Sequence, residues 1–147
     1  MIKIVSFVDS YKHYEEPIKE FVKRLWKDVE IVKLKPVKNG DVIQKETEIF
    51  EEYLKKENWF KIVLNPNWKN ISTEDFYDFI EDKKQNYKNI IFIIGWANWI
   101  NYSKIKHLID FELNFWKMIM PHILILLVLI EQIYRITMIK KGTAYHK

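Results

Sequence analysis

The stretch Asn89–Ile100, "NIIFIIGWANWI", decides the fold class of this chain. Its first part, "NIIFI", is a continuous apolar run that is typical of a buried strand. The strand ends at Gly95 and runs into a loop before a helix, and such loops often form ligand sites because glycine lets the backbone approach a ligand closely. The loop nevertheless carries Trp96 and Trp99, two of the largest side chains where small ones are expected.

Strands and helices alternate on both sides of this stretch. Apolar and β-branched runs predict further strands at Ile2–Val8, Val29–Leu34, Lys61–Leu64 and Leu113–Met120. Helical spacing of apolar residues and capping signals predict helices at Glu15–Trp26, at Ile43–Lys56, from the capping-type Ser72-Thr73-Glu74-Asp75, at Ser103–Phe111, and from Pro121 to a stop at Gly142. The alternation predicts one α/β domain over residues 1–147, with a mainly parallel sheet flanked by helices.

Ligands of parallel sheets bind beyond the carboxyl ends of the strands, so the loops after Leu64, Gly95 and Met120 are the expected site. The chain has no cysteine, which excludes disulfides and cysteine-based zinc sites, and we predict no metal site. The start of the sequence lacks a signal-peptide pattern, so we expect a cytoplasmic protein. The apolar run Ile123–Ile130 is far shorter than the roughly 20 residues of a membrane span, and we expect no membrane association. A net charge of +4 permits a nucleic-acid partner without requiring one.

The last third of the chain carries a more specific pattern, "MPHILILLVLIEQIYRITMIKKGTAYHK". Its ordered pieces are "PH" at Pro121, "LIEQ" ending at Gln132, "YR" ending at Arg135, and the final "YHK". In these pieces the chain resembles the RlmH family, SPOUT-superfamily enzymes that methylate N3 of a pseudouridine in 23S ribosomal RNA. The similarity extends weakly over the whole chain. "LNPNWKNISTEDF" stands where the family has an aliphatic-Asp strand end, then Gly-Lys and a capped helix.

The resemblance implies a C-terminal trefoil knot, a homodimer, 23S rRNA as partner, and S-adenosylmethionine as cofactor. Carried over by position, the cofactor contacts are Leu64, Gly95 and a continuous segment, called the cofactor strip below: Phe115, Trp116, Lys117, Met118, Ile119 and Met120. A sulfonium methyl group is already a strong electrophile, so the protein mainly has to position it and exclude water.

Candidate catalytic residues come from the same C-terminal pattern, and the sequence assigns no roles to them: His122, Glu131, Arg135, Tyr145 and His146. Simpler structural interpretations stand beside them. His122 can satisfy a backbone carbonyl, and Glu131 with Arg135 can form an ordinary i, i+4 helix pair. We interpret Asp110 and Glu112 as surface charges rather than a catalytic pair, and His13 and His107 as surface residues.

The tryptophans are the main departure from the family. The chain has 6 Trp and only 3 Gly, although glycine ordinarily makes up about 7% of residues. Family glycines are replaced by Trp68, Trp96 and Trp99, and Trp116 replaces a small residue of the cofactor strip. One interpretation is a catalytically inactive homologue that binds RNA or serves as a dimeric structural protein.

A second interpretation explains the glycine deficit as well. Some bacteria read the codon UGA as glycine and others as tryptophan. We hypothesise that UGA codons read as glycine in the source organism are written here as Trp68, Trp96, Trp99 and Trp116. Many Lys, Ile and Asn residues fit an AT-rich gene in which UGA would be favoured, and the sequence alone leaves Trp26 and Trp59 undecided.

Overall fold

A computed structural model describes residues 1–95, 100–115 and 117–145. Five strands form one sheet in the order β2-β1-β4-β3-β5, and every neighbouring pair is parallel. The strands are β1 Ile2–Phe7, β2 Val29–Leu34, β3 Phe60–Leu64, β4 Ile90–Ile94 and β5 Phe111–Leu113. The predicted α/β class with a parallel sheet is therefore confirmed, and the stretch that opens at Asn89 supplies the central strand.

Helices cover both faces of the sheet. They are α1 Glu15–Leu25, α2 Val42–Lys56, α3 Thr73–Asn86, α4 Tyr102–Ile105 and α5 His122–Lys140. One face packs against α1, α3 and α5 around residues such as Ile4 and Phe92, and the other packs against α2 and α4 around residues such as Val5 and Phe50. This division follows from the strand alternation, since successive side chains of a strand point to opposite faces. The trefoil knot that the resemblance implies stays a prediction.

The ends of two helices confirm predicted capping signals. The Ser72 hydroxyl accepts a hydrogen bond from the Asp75 N–H at 3.0 Å and so caps α3. Past the end of α5, the N–H of Gly142 donates to Ile139 at 2.9 Å, and that of Thr143 donates to Met138 at 3.1 Å. Gly142 has φ +66°, as this paired Schellman closure requires. Pro121 lies just before α5 rather than at its first helical position.

Two predicted elements between β4 and α5 are wrong. The expected helix at Ser103–Phe111 is a single turn, α4, followed by a 3-10 turn at Lys106–Leu108, and Phe111 already belongs to β5. The expected strand at Leu113–Met120 ends at Leu113. A short apolar run cannot show by its periodicity where a strand stops, and here the chain leaves the sheet after the Asn114 bridge to Asn70.

Helix α5 is long and apolar enough to cross a membrane by length and composition alone, with a mean hydropathy of 1.8. In this structure one stripe of the helix, including Leu126, Leu129 and Ile133, is fully buried against the sheet and its neighbouring helices. Core helices can have the same length and composition, and the buried stripe of α5 packs in that way. Only 33% of the apolar stretch of this helix is buried, so the side away from the core keeps half-exposed apolar area.

The two undecided tryptophans have different environments. Trp26 directly follows α1 with φ +50° and ψ −123°, and it is 71% exposed. Residues that carry a side chain rarely adopt this backbone conformation. It matches the first central residue of a type II′ turn, a position dominated by glycine. Trp59 has ordinary backbone angles, is half-buried against the core, and lies 4.2 Å from the Lys3 ammonium. Backbone strain therefore adds Trp26, but not Trp59, to the positions where glycine is expected.

Candidate functional site

The predicted site begins where β3, β4 and β5 end at one edge of the sheet. Val63 of β3 pairs with Ile93 of β4, so Leu64 and Gly95 leave neighbouring strands close to the same level. Leu64 also pairs with Leu113 of β5, which leads directly into the strip that starts at Phe115. The fold therefore brings Leu64, Gly95 and the start of the strip to one edge, where ligands of parallel sheets bind.

Asn114 organises the loop that follows β3. Its buried side-chain amide donates to the carbonyl oxygens of Pro66 at 3.1 Å and Trp68 at 3.0 Å, and to the Asn70 side chain at 2.7 Å. The backbone carbonyl oxygen of Asn114 accepts a hydrogen bond from the Ile71 N–H at 3.1 Å. The loop is therefore fixed to the end of β5 by several hydrogen bonds from a single residue.

Glu112 of β5 links the same loop to α4. Its Oε2 accepts a hydrogen bond from Asn65 Nδ2 at 2.6 Å, and its Oε1 accepts one from the Tyr102 hydroxyl. Burial, followed by this bond to Glu112, raises the pKa of the Tyr102 phenol above its ordinary value, so the phenol stays a donor at neutral pH. The interpretation of Glu112 as a surface charge is wrong, because the residue is half-buried with two protein partners. Asp110 is exposed, as expected, and accepts the Lys61 N–H at 2.7 Å.

Helix α2 contacts Gly95 and Asn101, which flank the loop between β4 and α4. A Cβ atom at Gly95 would lie 3.1 Å from the Phe50 ring, closer than nearly all such contacts, so the absence of a side chain lets this backbone pack tightly. At the far end of the loop, the Asn101 N–H donates to the Thr47 hydroxyl at 2.7 Å. Both flanks of the loop are thus held by one turn of α2.

A cavity of about 220 Å³ lies beside the start of the strip, between α3 and α5. Its walls include Ser72, Phe76, Phe115 and Gln132. The rings of Phe76 and Phe115 pack edge to face at 5.4 Å. Across the cavity, the Thr73 hydroxyl donates to Gln132 Oε1 at 2.9 Å, so polar groups of α3 and α5 meet at its wall.

Glu131 accepts hydrogen bonds from other residues of α5 and from the tail, the segment that follows α5. Its Oε1 accepts hydrogen bonds from Arg135 at 2.7 Å and from the Tyr145 hydroxyl at 3.2 Å, and its Oε2 accepts from Gln132 at 2.7 Å. Tyr145 also packs edge to face on Tyr134 at 4.8 Å. The bond to Glu131 raises the pKa of Arg135, whereas burial is the main cause that raises the pKa of Tyr145. The i, i+4 pair is present, and it also anchors the tail.

His122 opens α5 in a half-buried position. Burial lowers the pKa of its imidazole, while a hydrogen bond to the backbone of Phe7 opposes that shift. The imidazole is therefore neutral at physiological pH. The backbone bond is the simpler structural role considered for this residue.

Comparison with known proteins now decides the family. A family model described as "Predicted SPOUT methyltransferase" matches residues 1–146. The chain belongs to this SPOUT methyltransferase family. It is 36% identical to a protein of Caldicellulosiruptor bescii over the full length of both chains, and 36% identical to one of Streptococcus gordonii over 92% of each chain. A protein of Mycoplasma capricolum is 34% identical over 99% of each chain. All three relatives are named ribosomal RNA large subunit methyltransferase H.

Within this SPOUT chain, the predicted site residues have different environments. Leu64 is buried, Phe115 and Met120 are half-buried, and the exposed part of the strip comprises Lys117, Met118 and Ile119. Trp68 is half-exposed in the loop held by Asn114. Four residues named in the sequence predictions lie outside the described residues: Trp96, Trp99, Trp116 and His146.

Sequence reasoning missed Asn65, Glu112, Asn114 and Gln132 as parts of the site. Asn65 and Glu112 are 47 positions apart, so neither their spacing nor the local pattern indicates that they meet. A usable signal was the position of Asn65 and Asn114, each directly after a short apolar strand whose end should lie at the ligand-binding edge.

Proposed function

We propose that this chain transfers a methyl group from S-adenosylmethionine to N3 of a pseudouridine in 23S rRNA of the large ribosomal subunit. The observation that carries the proposal is the family match over residues 1–146, together with full-length relatives named ribosomal RNA large subunit methyltransferase H. The convergence of Leu64, Gly95 and the start of the Phe115–Met120 strip at one sheet edge supports it independently.

The residues at this edge fit the cofactor chemically. Asn65 and Asn114 are buried and order the loop beside the strand ends through their side-chain amides, while Met118 and Ile119 supply exposed apolar surface. An apolar surface beside an ordered loop suits the adenosine ring of the cofactor. Leu64, Gly95 and the strip would hold the cofactor, which when bound supplies an electrophilic methyl group.

The C-terminal tail is the proposed contact with the substrate RNA. Glu131, Arg135 and Tyr145 act as one hydrogen-bonded unit that anchors the start of the tail to α5. His122 stays neutral and contributes to the first turn of α5. We assign Glu131 and Arg135 a positioning role, because their polar groups are directed to each other and to Tyr145.

We further propose a cytoplasmic homodimer that has no association with a membrane. Apolar area is left half-exposed on α5, and in the strip before this helix Ile119 is 92% exposed and Met118 is 71% exposed. A second copy of this chain would cover this surface, and exposed apolar patches of this kind commonly mark protein interfaces.

A catalytically inactive SPOUT-like RNA-binding or dimeric structural protein is the second candidate. The tryptophans at family glycine positions favour it, because indoles at Trp96 and Trp99 would crowd the loop after Gly95.

The decisive experiment incubates purified chain with large ribosomal subunits that lack the modification and with radiolabelled S-adenosylmethionine. It is run with the chain as printed and with a form that has glycine at positions 68, 96, 99 and 116. Nucleoside mass spectrometry should detect N3-methylpseudouridine with the glycine form at least. Absence of the product with both forms, while both bind rRNA, would establish the inactive homologue instead.

A further inference from the structure

We infer that Glu112 is a positioning residue of the cofactor site. By two hydrogen bonds it fixes the end of β3 and the start of α4 relative to β5. These three elements flank the segments that we propose to hold S-adenosylmethionine, so the inference rests on the proposed function.

The two partners of Glu112 lie next to the proposed contacts. Asn65 directly follows Leu64, is 5% exposed, and is fixed at its other end because its Oδ1 accepts the Asn67 N–H at 2.9 Å. Tyr102 begins α4, the first helix after the loop that starts at Gly95. Glu112 itself lies three positions before Phe115, where the strip begins.

The shape of β5 makes a side-chain link important here. β5 has three residues and lies at the edge of the sheet, where β3 is its partner. Its backbone bonds run to β3 and to the loop after β3, such as the Asn65 N–H to the Leu113 carbonyl at 2.8 Å and the Ile71 N–H to the Asn114 carbonyl at 3.1 Å. Glu112 adds a side-chain link on the β3 side and joins this corner to α4 through Tyr102, and both donors are partly withdrawn from water.

Two substitutions of Glu112 distinguish the effect of its hydrogen bonds from the effect of its negative charge. A phenol both donates and accepts hydrogen bonds, so a glutamine at position 112 can accept from Asn65 and donate to Tyr102. Glu112→Gln therefore keeps both links and removes only the negative charge. Glu112→Ala removes both links and leaves two partly buried donors without their acceptor.

The matched control is Glu57→Ala. Glu57 is also a half-buried carboxylate, and it accepts a hydrogen bond from Lys3 at 2.8 Å. Lys3 lies near the start of β1, so this pair belongs to the amino edge of the sheet, opposite the proposed site. Loss of this bond tests whether a general loss of stability alone weakens cofactor binding.

The test measures S-adenosylmethionine affinity by calorimetry in the full chain with glycine at positions 96 and 99. Glu112→Ala should weaken binding about tenfold or more, whereas Glu112→Gln and Glu57→Ala should stay within about threefold of the parent. Hydrogen exchange without cofactor should become faster at residues 65–71 and 100–105 in Glu112→Ala, and should stay unchanged there in Glu57→Ala.

The outcomes separate the two proposals. If the parent binds no S-adenosylmethionine, the proposed function and the role of Glu112 both fail. If the parent binds and Glu112→Ala binds equally well, only the positioning role fails, whatever the exchange data show. Equal weakening by Glu112→Gln and Glu112→Ala would also overturn it, because the carboxylate charge would then be the active feature.

Discussion

Replacement of Trp26 by glycine should stabilise the protein. The backbone of Trp26 has φ +50° and ψ −123°, and strain of this kind costs of the order of 1–3 kcal/mol for a residue with a side chain. The indole is 71% exposed, so its removal sacrifices little buried apolar area. Glycine gives back about 0.5–1 kcal/mol through the greater freedom of the unfolded chain. The net gain should be about 1 kcal/mol, which for a chain of this length corresponds to a rise in Tm of about 3 °C.

The assay is urea unfolding followed by circular dichroism, with Trp26→Ala as the matched control. Alanine loses the same indole contacts as glycine but keeps a Cβ atom in the strained conformation, so it should show no gain. A higher urea midpoint at an unchanged m-value would identify an effect on stability alone. Equal stabilisation by alanine and glycine, or a lower midpoint for glycine, would refute the strain argument and remove Trp26 from the glycine positions.

Three further predictions concern the site, the helix and the interface. Joint replacement of Trp96 and Trp99 by glycine should tighten S-adenosylmethionine binding on the order of a hundredfold in calorimetry; equal, tight binding by the parent, or codon UGG at both positions, would contradict the miscoding hypothesis. Burial lowers the pKa of His122, so below about pH 6.5 the unfolded chain binds more protons than the folded one. The free energy of unfolding should therefore decrease as the pH is lowered through this range. His122→Gln should flatten that slope in urea titrations and the exposed control His107→Gln should not, and equal slopes in all forms would contradict this assignment. Ile119→Asp should convert a dimer into a folded monomer in sedimentation velocity, because this side chain is 92% exposed in one chain; an intact dimer would place the interface elsewhere.

Local patterns predicted most elements of the fold because their signals are contained in short windows. The apolar run at Ile90–Ile94, the cap at Ser72 and the stop at Gly142 each depend on neighbours within a few positions. The region from Ser103 to Met120 was predicted poorly for the opposite reason. There the chain is shaped by partners far away in sequence, such as the loop at Asn70 that pairs with Asn114.

The candidate site was only partly accessible from the sequence. Leu64, Gly95 and Phe115 could be named because a family resemblance and the carboxyl-edge rule indicate the same loops. Glu112 could not, since its role depends on Asn65 and Tyr102 from two other segments. Alternation along β5 indicates which face the side chain takes, and does not indicate what it meets there.

The strand order also determines when this fold can form during synthesis. The central strand β4 is the fourth to be made, and Ile2 of β1 waits for a partner at Ile90. Until then β1 and β3 each have an open edge, and only β1 and β2 can pair. Pairing over such separations is slow, and open edges invite association with other chains. A nascent chain halted before residue 90 is therefore prone to associate with other chains. Protection by chaperones matters most in the interval before β4 leaves the ribosome.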